Sequence, residues 1–222
     1  MSVAPPTSEE ELLNRARLLA GLSLGELAVQ FDQAIPQETR HAKGWIGQLI
    51  EKTLGATASS LAEPDFQLIG IELKTLPLTA TGKPKESTYV CTVPLKNPSE
   101  QHWESSWFKR KLQRVLWLPI EADTRIPLAE RHIGSAILWS PNKQEILQLQ
   151  QDWEELMELV CLGQVDQISS HMGHVLQIRP KGANAKSLTT TQNEDGDIIE
   201  TLPRGFYLRP EFTQHIIQNY YA

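Results

Sequence analysis

The strongest chemical pattern in the sequence is a carboxylate and an ammonium group two residues apart, Glu72 and Lys74. Side chains on a strand alternate between two faces, so these two share one face while Ile69, Ile71 and Leu73 share the other. The apolar face predicts a strand packed on the core. The charged face, held on a rigid strand, is pre-positioned to act on a single ligand.

A second carboxylate, Asp65, precedes this pair in the same segment. A strand rises about 3.3 Å per residue, so a straight chain would hold Asp65 and Glu72 roughly 23 Å apart. The two can share an ion only if a turn brings Asp65 back toward the strand. We expect that turn at Gly70, because a residue without a side chain tolerates tight bends and close backbone approach.

Asp65, Glu72 and a main-chain carbonyl would form a negatively charged site made only of oxygen ligands. Such ligands suit Mg²⁺ better than Zn²⁺. A bound Mg²⁺ ion would hold a phosphodiester oxygen and lower the pKa of an attacking water, while Lys74 orients that water or stabilises the developing charge. The pattern also arises by chance in ordinary soluble proteins, and taken alone it leaves that interpretation open.

A predicted helix from residue 37 to residue 54 carries a stripe formed by Gly44, Gly47 and Glu51. These residues share one face of the helix. Two interpretations follow. Either the two glycines let another backbone approach closely and place Glu51 beside Asp65 and Glu72 as a third acid, or Glu51 is an exposed residue on the helix flank.

Length and composition predict a globular protein without a membrane span. The chain has 222 residues, 40% of them hydrophobic, which is enough for a buried core. It has no signal-peptide pattern and no apolar run of the length that a bilayer requires. Cys91 and Cys161 both lie in apolar segments, which predicts buried free thiols in a reducing compartment. We therefore expect a cytoplasmic protein.

The formal net charge of −6 conceals separate acidic and basic clusters. Acidic residues concentrate at 9–11 and along 152–158. The basic residues that could line a groove for nucleic acid are Lys109, Arg110, Lys111, Arg114, Arg179, Lys181, Arg204 and Arg209. For any one of these clusters taken alone, a solvated face is the favoured interpretation.

Hydrophobic periodicity and capping signals predict alternating helices and strands. Helices are expected after Ser8 and Ser23, over residues 37–54, at 107–112, over 142–160 and at the C-terminus. Strands are expected at 64–78, 87–93, 115–120, 136–139, 174–179 and 205–208, the first two as a hairpin joined by a turn at 79–86. Residues 189–197 are expected to form a polar, mobile loop.

Several motifs, in this order, closely resemble the MutH family of DNA mismatch-repair endonucleases. The likeness runs from about Ser8 to the C-terminal helix. Its motifs are Lys43-Gly44-Trp45-Ile46-Gly47, Glu51, Pro64-Asp65 with Glu72-Leu73-Lys74, Lys111-Leu112 before Arg114-Val115-Leu116-Trp117, Asp152-Trp153-Glu154-Glu155-Leu156, Ile178-Arg179-Pro180-Lys181 and Leu202-Pro203-Arg204-Gly205-Phe206-Tyr207.

The resemblance implies a restriction-endonuclease-like α/β fold: a mixed β-sheet flanked by helices, forming a two-armed clamp around a DNA cleft in a single domain over residues 1–222. It also implies a reaction. Members of the family nick the unmethylated strand of hemimethylated GATC sites 5′ to the G, use Mg²⁺, whose site Mn²⁺ or Ca²⁺ can also occupy, and are stimulated by MutL. A monomer in solution is expected.

Carried over by matching positions, the resemblance assigns the metal ligands to Glu51, Asp65, Glu72 and the carbonyl of Leu73. Lys74 becomes the active-site lysine, and Lys111 is expected next to it on the DNA.

The resemblance also assigns residues that contact DNA. Arg179 and Lys181, with Pro180 between them, lie on the segment that enters the major groove, where arginine and lysine suit the O6 and N7 acceptors of guanine. Tyr207 is the expected sensor of the adenine methyl group, and Tyr89 is either a second groove contact or a core aromatic. The remaining residues expected at DNA, mostly at phosphates, are Lys43, Lys109, Arg110, Arg114 and Arg204.

Three other functions remain compatible with parts of this pattern. A restriction endonuclease of the same fold would cut both strands as a dimer. A DNA-binding module without catalysis would keep the basic residues but would not depend on Glu72. A structural protein would carry its basic clusters only as solvated faces and would show no salt-dependent affinity for DNA.

Overall fold

A computed structural model describes residues 3–58, 63–181 and 187–221 as a mixture of helices and strands. The α-helices in these ranges are α1 (Glu9–Leu19), α2 (Leu24–Gln30), α3 (Thr39–Leu54), α4 (Trp107–Leu112), α5 (Lys143–Cys161) and α6 (Pro210–Tyr221). The strands are β1 (Glu72–Leu78), β2 (Thr88–Thr92), β3 (Val115–Glu121), β4 (Ile137–Trp139), β5 (Leu176–Pro180), β6 (Thr189–Gln192), β7 (Ile198–Thr201) and β8 (Arg204–Leu208). The predicted mixed α/β class is confirmed.

Local capping signals fix the ends of the main helices where the sequence predicts them. The Ser23 hydroxyl and the Glu26 carboxylate form a reciprocal capping box at the start of α2. Asn142 and Glu145 do the same for α5. These side chains satisfy main-chain N–H groups that a helix start leaves without partners, so short sequence motifs suffice to set the boundaries.

The chain divides into two compact units. The first comprises Met1–Glu86, Gln113–Ser140 and Ile216–Ala222. Its sheet has the order β1-β3-β4, with β1 parallel to β3 and β3 antiparallel to β4. Every residue of β3 except the last is buried, as expected of a central strand. Leucines and isoleucines of α1, α2, α3, β1 and β3 form one continuous core here.

The second unit comprises Ser87–Leu112 and Pro141–His215. Its antiparallel sheet has the order β2-β8-β5, and β6 and β7 form a separate hairpin. Packed aromatic rings make up much of the core: Phe108 contacts Phe206 of β8 at a centroid distance of 5.3 Å, and Trp103 contacts Trp153 of α5 at 5.8 Å. The sheet therefore has one face buried on aromatic side chains and one face available to solvent.

The predicted hairpin between residues 64–78 and 87–93 is wrong. Strand β1 pairs with β3, whereas β2 pairs with β8 in the other unit. The turn itself forms, because Thr79 N–H donates to the Lys83 carbonyl and Lys85 N–H donates to the Pro77 carbonyl. The returning chain runs beside β1 only as far as Lys85 and enters the second unit at Ser87.

Two further expectations are corrected. Residues 189–197 are not one polar loop, since Thr189 to Gln192 pair with Ile198 to Thr201 across a turn. The Asn193 side chain accepts hydrogen bonds from the N–H groups of Asp195 and Asp197 and so closes that turn. Cys91 is a buried free thiol as predicted, but Cys161 is exposed because the last turn of α5 directs it away from the inner stripe.

The glycine stripe of α3 has a different role from the one expected. Apart from its chain neighbours and the backbone of its own helix, no described residue comes within 4 Å of a Cβ built on Gly44, and a Cβ on Gly47 would meet the Glu51 carboxylate at 3.9 Å. The glycines therefore leave open space beside the helix. As for membranes, none of the helices in the described ranges has both the length and the apolar character needed to cross one.

A glycine substitution at the end of α3 should destabilise the first unit. Gly55 ends the helix with a φ of +82°, and a Cβ there would lie 2.5 Å from the Ala4 carbonyl oxygen. We expect Gly55→Ala to lower the free energy of unfolding by about 1 to 3 kcal/mol. Gly44→Ala is the control, because an added methyl group in open space of a helix should raise it by about 0.5 to 1 kcal/mol. Urea titration measures both, and equal stability of the two variants would contradict the assignment.

Candidate functional site

A tight turn carries Asp65 back to the start of β1, as the sequence predicts. Residues Gln67–Ile69 form one turn of 3₁₀ helix, and Gly70 follows in the left-handed region with φ +66°. On either side, Phe66 and Ile71 exchange main-chain hydrogen bonds of 2.9 and 3.3 Å. The strand therefore begins at Glu72 rather than at residue 64.

The Asp65 carboxylate is attached directly to β1. Its Oδ2 accepts a hydrogen bond of 2.8 Å from the Leu73 N–H, and the residue is only 6% exposed. Its main-chain carbonyl accepts a hydrogen bond of 2.9 Å from Thr57 N–H, just beyond the end of α3. Asp65 is thus hydrogen-bonded both to the segment after α3 and to β1. These two bonds fix the backbone and the side chain of Asp65.

Glu72 and Lys74 lie side by side on β1. The Lys74 ammonium is 2.5 Å from Glu72 Oε1, and the two side chains are 15% and 2% exposed. The Glu72 N–H donates to the Arg114 carbonyl at the start of β3, which holds the strand in register. Burying a carboxylate is costly unless it is paired and hydrogen-bonded, and Lys74 supplies the compensating charge.

Glu51 lies near the end of α3, half-buried, and its main-chain carbonyl accepts hydrogen bonds from Gly55 and Ala56. Within the described ranges, no three side chains of the His, Cys, Asp and Glu types converge closely enough to hold a metal ion. Glu51 as a third metal ligand therefore stays a prediction. The donors of Asp65, Glu72 and the Leu73 carbonyl are all oxygens, and this donor set fits a hard divalent cation such as Mg²⁺.

In the second unit, four of the predicted DNA-contact residues form one group on the β2-β8-β5 sheet. The rings of Tyr89 and Tyr207 meet edge to face at 5.4 Å. The Lys181 ammonium lies 3.2 Å from the centroid of Tyr89, and the Arg179 guanidinium lies 6.0 Å from that of Tyr207. We call these four residues the aromatic–cationic cluster. Both cations, and Pro180 between them, are exposed.

Gly205, which the sequence did not single out as a site residue, makes this cluster possible. A Cβ at Gly205 would lie 2.9 Å and 3.0 Å from ring atoms of Tyr89 and Tyr207. The two rings therefore lie directly over the backbone of β8. A glycine inside a strand often marks such a close approach, and this was the available signal.

Two of the predicted DNA-contact residues, Arg114 and Lys43, lie in the first unit and form ion pairs. Arg114 makes a two-pronged contact with Glu9, at 3.0 and 2.6 Å, and donates to the Ser140 hydroxyl. Lys43 is 2.6 Å from Glu86, with both side chains well exposed. Their contacts with DNA stay predictions.

The basic residues of the second unit differ in accessibility. Arg110 is exposed on α4, whereas Lys111 is buried with its ammonium 5.9 Å from the Trp107 ring. Lys109 pairs with Glu104. Arg204 donates to Asp166 at 2.9 Å, and its side chain is 12% exposed. Arg110 is thus the most accessible of these four.

Comparison with known proteins identifies relatives of the whole chain. A sequence model of the family described as "DNA mismatch repair enzyme MutH" matches residues 54–152. A DNA mismatch repair protein MutH of Vibrio cholerae (strain O395) is 52% identical over 217 residues, covering 98% of each chain. Another of that name from Shewanella baltica (strain OS185) is 50% identical over 220 residues, covering 99% of each. The chain belongs to the MutH family.

Both groups of candidate residues lie in parts of the chain that are similar to MutH proteins. Asp65, Glu72 and Lys74 fall inside the segment that the MutH family model matches. The aromatic–cationic cluster falls largely outside it, but inside the stretch aligned with the full-length MutH relatives. The fold described above, small mixed sheets flanked by helices, agrees with the restriction-endonuclease-like fold expected for this family.

A methyl group added at Gly205 should disrupt the aromatic–cationic cluster. We expect Gly205→Ala to displace both tyrosine rings, release Lys181 from Tyr89, and weaken binding of duplex DNA by about tenfold, since a tenfold change corresponds to about 1.4 kcal/mol. Aromatic proton spectra and fluorescence anisotropy with a labelled duplex measure the two effects. Gly44→Ala is again the control. Unchanged tyrosine resonances in Gly205→Ala would show that the described ring contacts are not those of the protein in solution.

Proposed function

We propose that this protein is a Mg²⁺-dependent endonuclease of DNA mismatch repair that nicks the unmethylated strand of hemimethylated GATC sites, 5′ to the G. The observation that carries the proposal is the buried arrangement on β1. There the Asp65 carboxylate is bonded to Leu73 N–H and the Glu72 carboxylate is paired with Lys74. Membership of the MutH family supplies the biological setting.

The reaction is hydrolysis of a phosphodiester, in which water adds to phosphorus as an ester oxygen departs. Asp65, Glu72, the Leu73 carbonyl and Glu51 would hold the metal. When bound, Mg²⁺ supplies positive charge that polarises the phosphodiester and makes water more acidic. Lys74 either orients the attacking water or stabilises the charge that develops on the phosphate. Its position beside Glu72 keeps the ammonium at the site.

Recognition of the sequence is assigned to the aromatic–cationic cluster. Arg179 and Lys181 donate to guanine O6 and N7 in the major groove. Tyr207 is the proposed sensor of the methyl group that replaces one hydrogen on adenine N6, through steric and apolar contact. The Tyr89 ring packs edge to face against Tyr207 at 5.4 Å. It also contacts the Lys181 ammonium, which leaves the ring when it binds a base edge. An exposed cation–π contact is worth about 0.5 to 1 kcal/mol, so this release is inexpensive.

The phosphate contacts are assigned to the other basic residues. Exposed ion pairs contribute about 0 to 1 kcal/mol, so Lys43 can exchange Glu86 for a phosphate oxygen at little cost. Arg110 is exposed and available without such an exchange. The residues proposed for this role are Lys43, Lys109, Arg110, Lys111, Arg114 and Arg204. We further propose MutL as the activating partner, a monomeric state, and a cytoplasmic location.

The decisive test is nicking of a plasmid that carries one GATC site, hemimethylated or fully methylated, with Mg²⁺ and with or without MutL. Wild type should nick only the unmethylated strand. Glu72→Ala should lower the rate by at least about a hundredfold, because it removes a metal ligand and leaves Lys74 without its carboxylate. Gels separate nicked from linear plasmid, and strand-specific probes identify the cut strand.

Each alternative outcome points to a different function. Linear products that do not depend on methylation would identify a restriction endonuclease of the same fold. Activity that survives Glu72→Ala would exclude the proposed site. Salt-dependent DNA binding without any cleavage would leave a DNA-binding module.

MutL stimulation should depend on the acidic outer face of α5. Glu154 and Glu155 are exposed there and make local hydrogen bonds only with Gln150 and Gln151. We expect charge reversal at both positions to reduce MutL stimulation by about tenfold, because the new positive charges would repel the basic surface that an acidic helix would bind. Nicking without MutL should be unchanged. Glu200→Lys, on β7, is the control. Full stimulation of the double variant would exclude this helix as the contact surface.

A further inference from the structure

A buried carboxylate on α5 holds the segment that precedes β5. Asp152 is 1% exposed, and its Oδ2 accepts hydrogen bonds from three consecutive N–H groups, those of His174, Val175 and Leu176, at 2.8, 2.6 and 2.8 Å. A side-chain oxygen that collects three successive main-chain donors fixes the path of the backbone between them. None of the roles assigned above uses this residue.

An arginine holds the same segment through its carbonyl groups. Arg209 donates from Nη2 to the carbonyls of Ser170 and Met172, at 2.7 and 3.0 Å, and from Nε to that of Gly173, at 3.2 Å. Its own N–H donates to the Val175 carbonyl at 2.9 Å. The main-chain N–H groups of segment 170–176 therefore donate to the Asp152 carboxylate, and its carbonyl groups accept from the Arg209 guanidinium. We call this arrangement the β5 clamp.

The close fit of the β5 clamp leaves no room for a side chain at its centre. Gly173 has a φ of +77°, and a Cβ there would lie 2.1 Å from the Leu176 carbonyl oxygen and 3.2 Å from Asp152 Oδ2. Only a residue that tolerates the left-handed region fits between the two charged side chains. The backbone at this point is thus held in one conformation.

The β5 clamp lies at the junction of the two strands that carry the aromatic–cationic cluster. Arg209 directly follows β8, which carries Tyr207, and Leu176 begins β5, which ends next to Lys181. The register at this junction pairs Leu176 with Leu208 and consequently Arg179 with Gly205. A slip of one residue would turn Arg179 to the opposite face of the sheet, since side chains alternate along a strand.

We propose that Asp152 and Arg209 are positioning residues for sequence recognition: they fix the register of β5 against β8, so that Arg179 and Lys181 face the DNA beside Tyr207. This inference rests on the proposed recognition of GATC. It assigns a role to two residues whose side chains are bonded to the main chain of segment 170–176. Their effect on recognition passes through the main chain of segment 170–176.

The test compares affinity for a GATC duplex with affinity for a scrambled duplex of the same composition. Both are measured by anisotropy in EDTA, well below the melting temperature of every variant. We expect Asp152→Ala to reduce the ratio of the two affinities by about ten- to a hundredfold, the amount that lost base contacts cost. Affinity for the scrambled duplex should change less than about twofold, because phosphate contacts supply it. Asp152→Asn, which keeps an acceptor oxygen but loses the charge, should lie between.

Control variants separate positioning from stability. Glu158→Ala, six residues along the same helix and exposed, should leave the ratio unchanged. If Asp152→Ala does not fold, Arg209→Lys tests the other side of the clamp, since it keeps the charge but loses the forked donors. Amide spectra of Arg179, Lys181 and Gly205 report the register directly, and these resonances should shift in every clamp variant.

The outcomes are distinct. A folded clamp variant with the wild-type affinity ratio and unchanged amide resonances overturns the inference. A wild-type protein without preference for GATC would refute the proposed function instead. In that case the amide resonances alone decide whether the clamp positions β5.

Discussion

The hydrogen bond from the Leu73 N–H to the Asp65 carboxylate is the constraint around which the first unit is built. It can form only because the chain reverses at Gly70, because β3 holds β1 in register, and because the segment after α3 binds the Asp65 carbonyl. Two carboxylates become buried on one short stretch as a result. Burial of each is tolerated because one accepts a main-chain hydrogen bond and the other accepts an ammonium group.

The two units hold their charged groups by different physical means. In the first, Asp65 accepts a main-chain hydrogen bond and Glu72 is paired with Lys74, and both carboxylates are buried. In the second, exposed cations lie against tyrosine rings, which restrict their motion without removing them from water. Rigid placement suits the phosphate chemistry proposed for the first group. Looser placement suits the base contacts proposed for the second.

Sequence patterns predict the features that depend on neighbouring residues. The capping box of α2, the extent of α5, the end of α3 at Gly55 and the turn at Gly70 all arise from local chemistry, and all are present. Strand pairing depends on residues far apart in the chain, which is why the partner of β2 was mistaken. The contacts of Asp152 were missed for the same reason, and for Gly205 the only local signal was a glycine inside a strand.

The pairing of Glu72 with Lys74 means that the site contains its own counter-ion. In many metal proteins, a buried acidic side chain destabilises the fold until a cation binds to it. Here the Lys74 ammonium already neutralises Glu72, so the burial of that carboxylate does not depend on a bound cation.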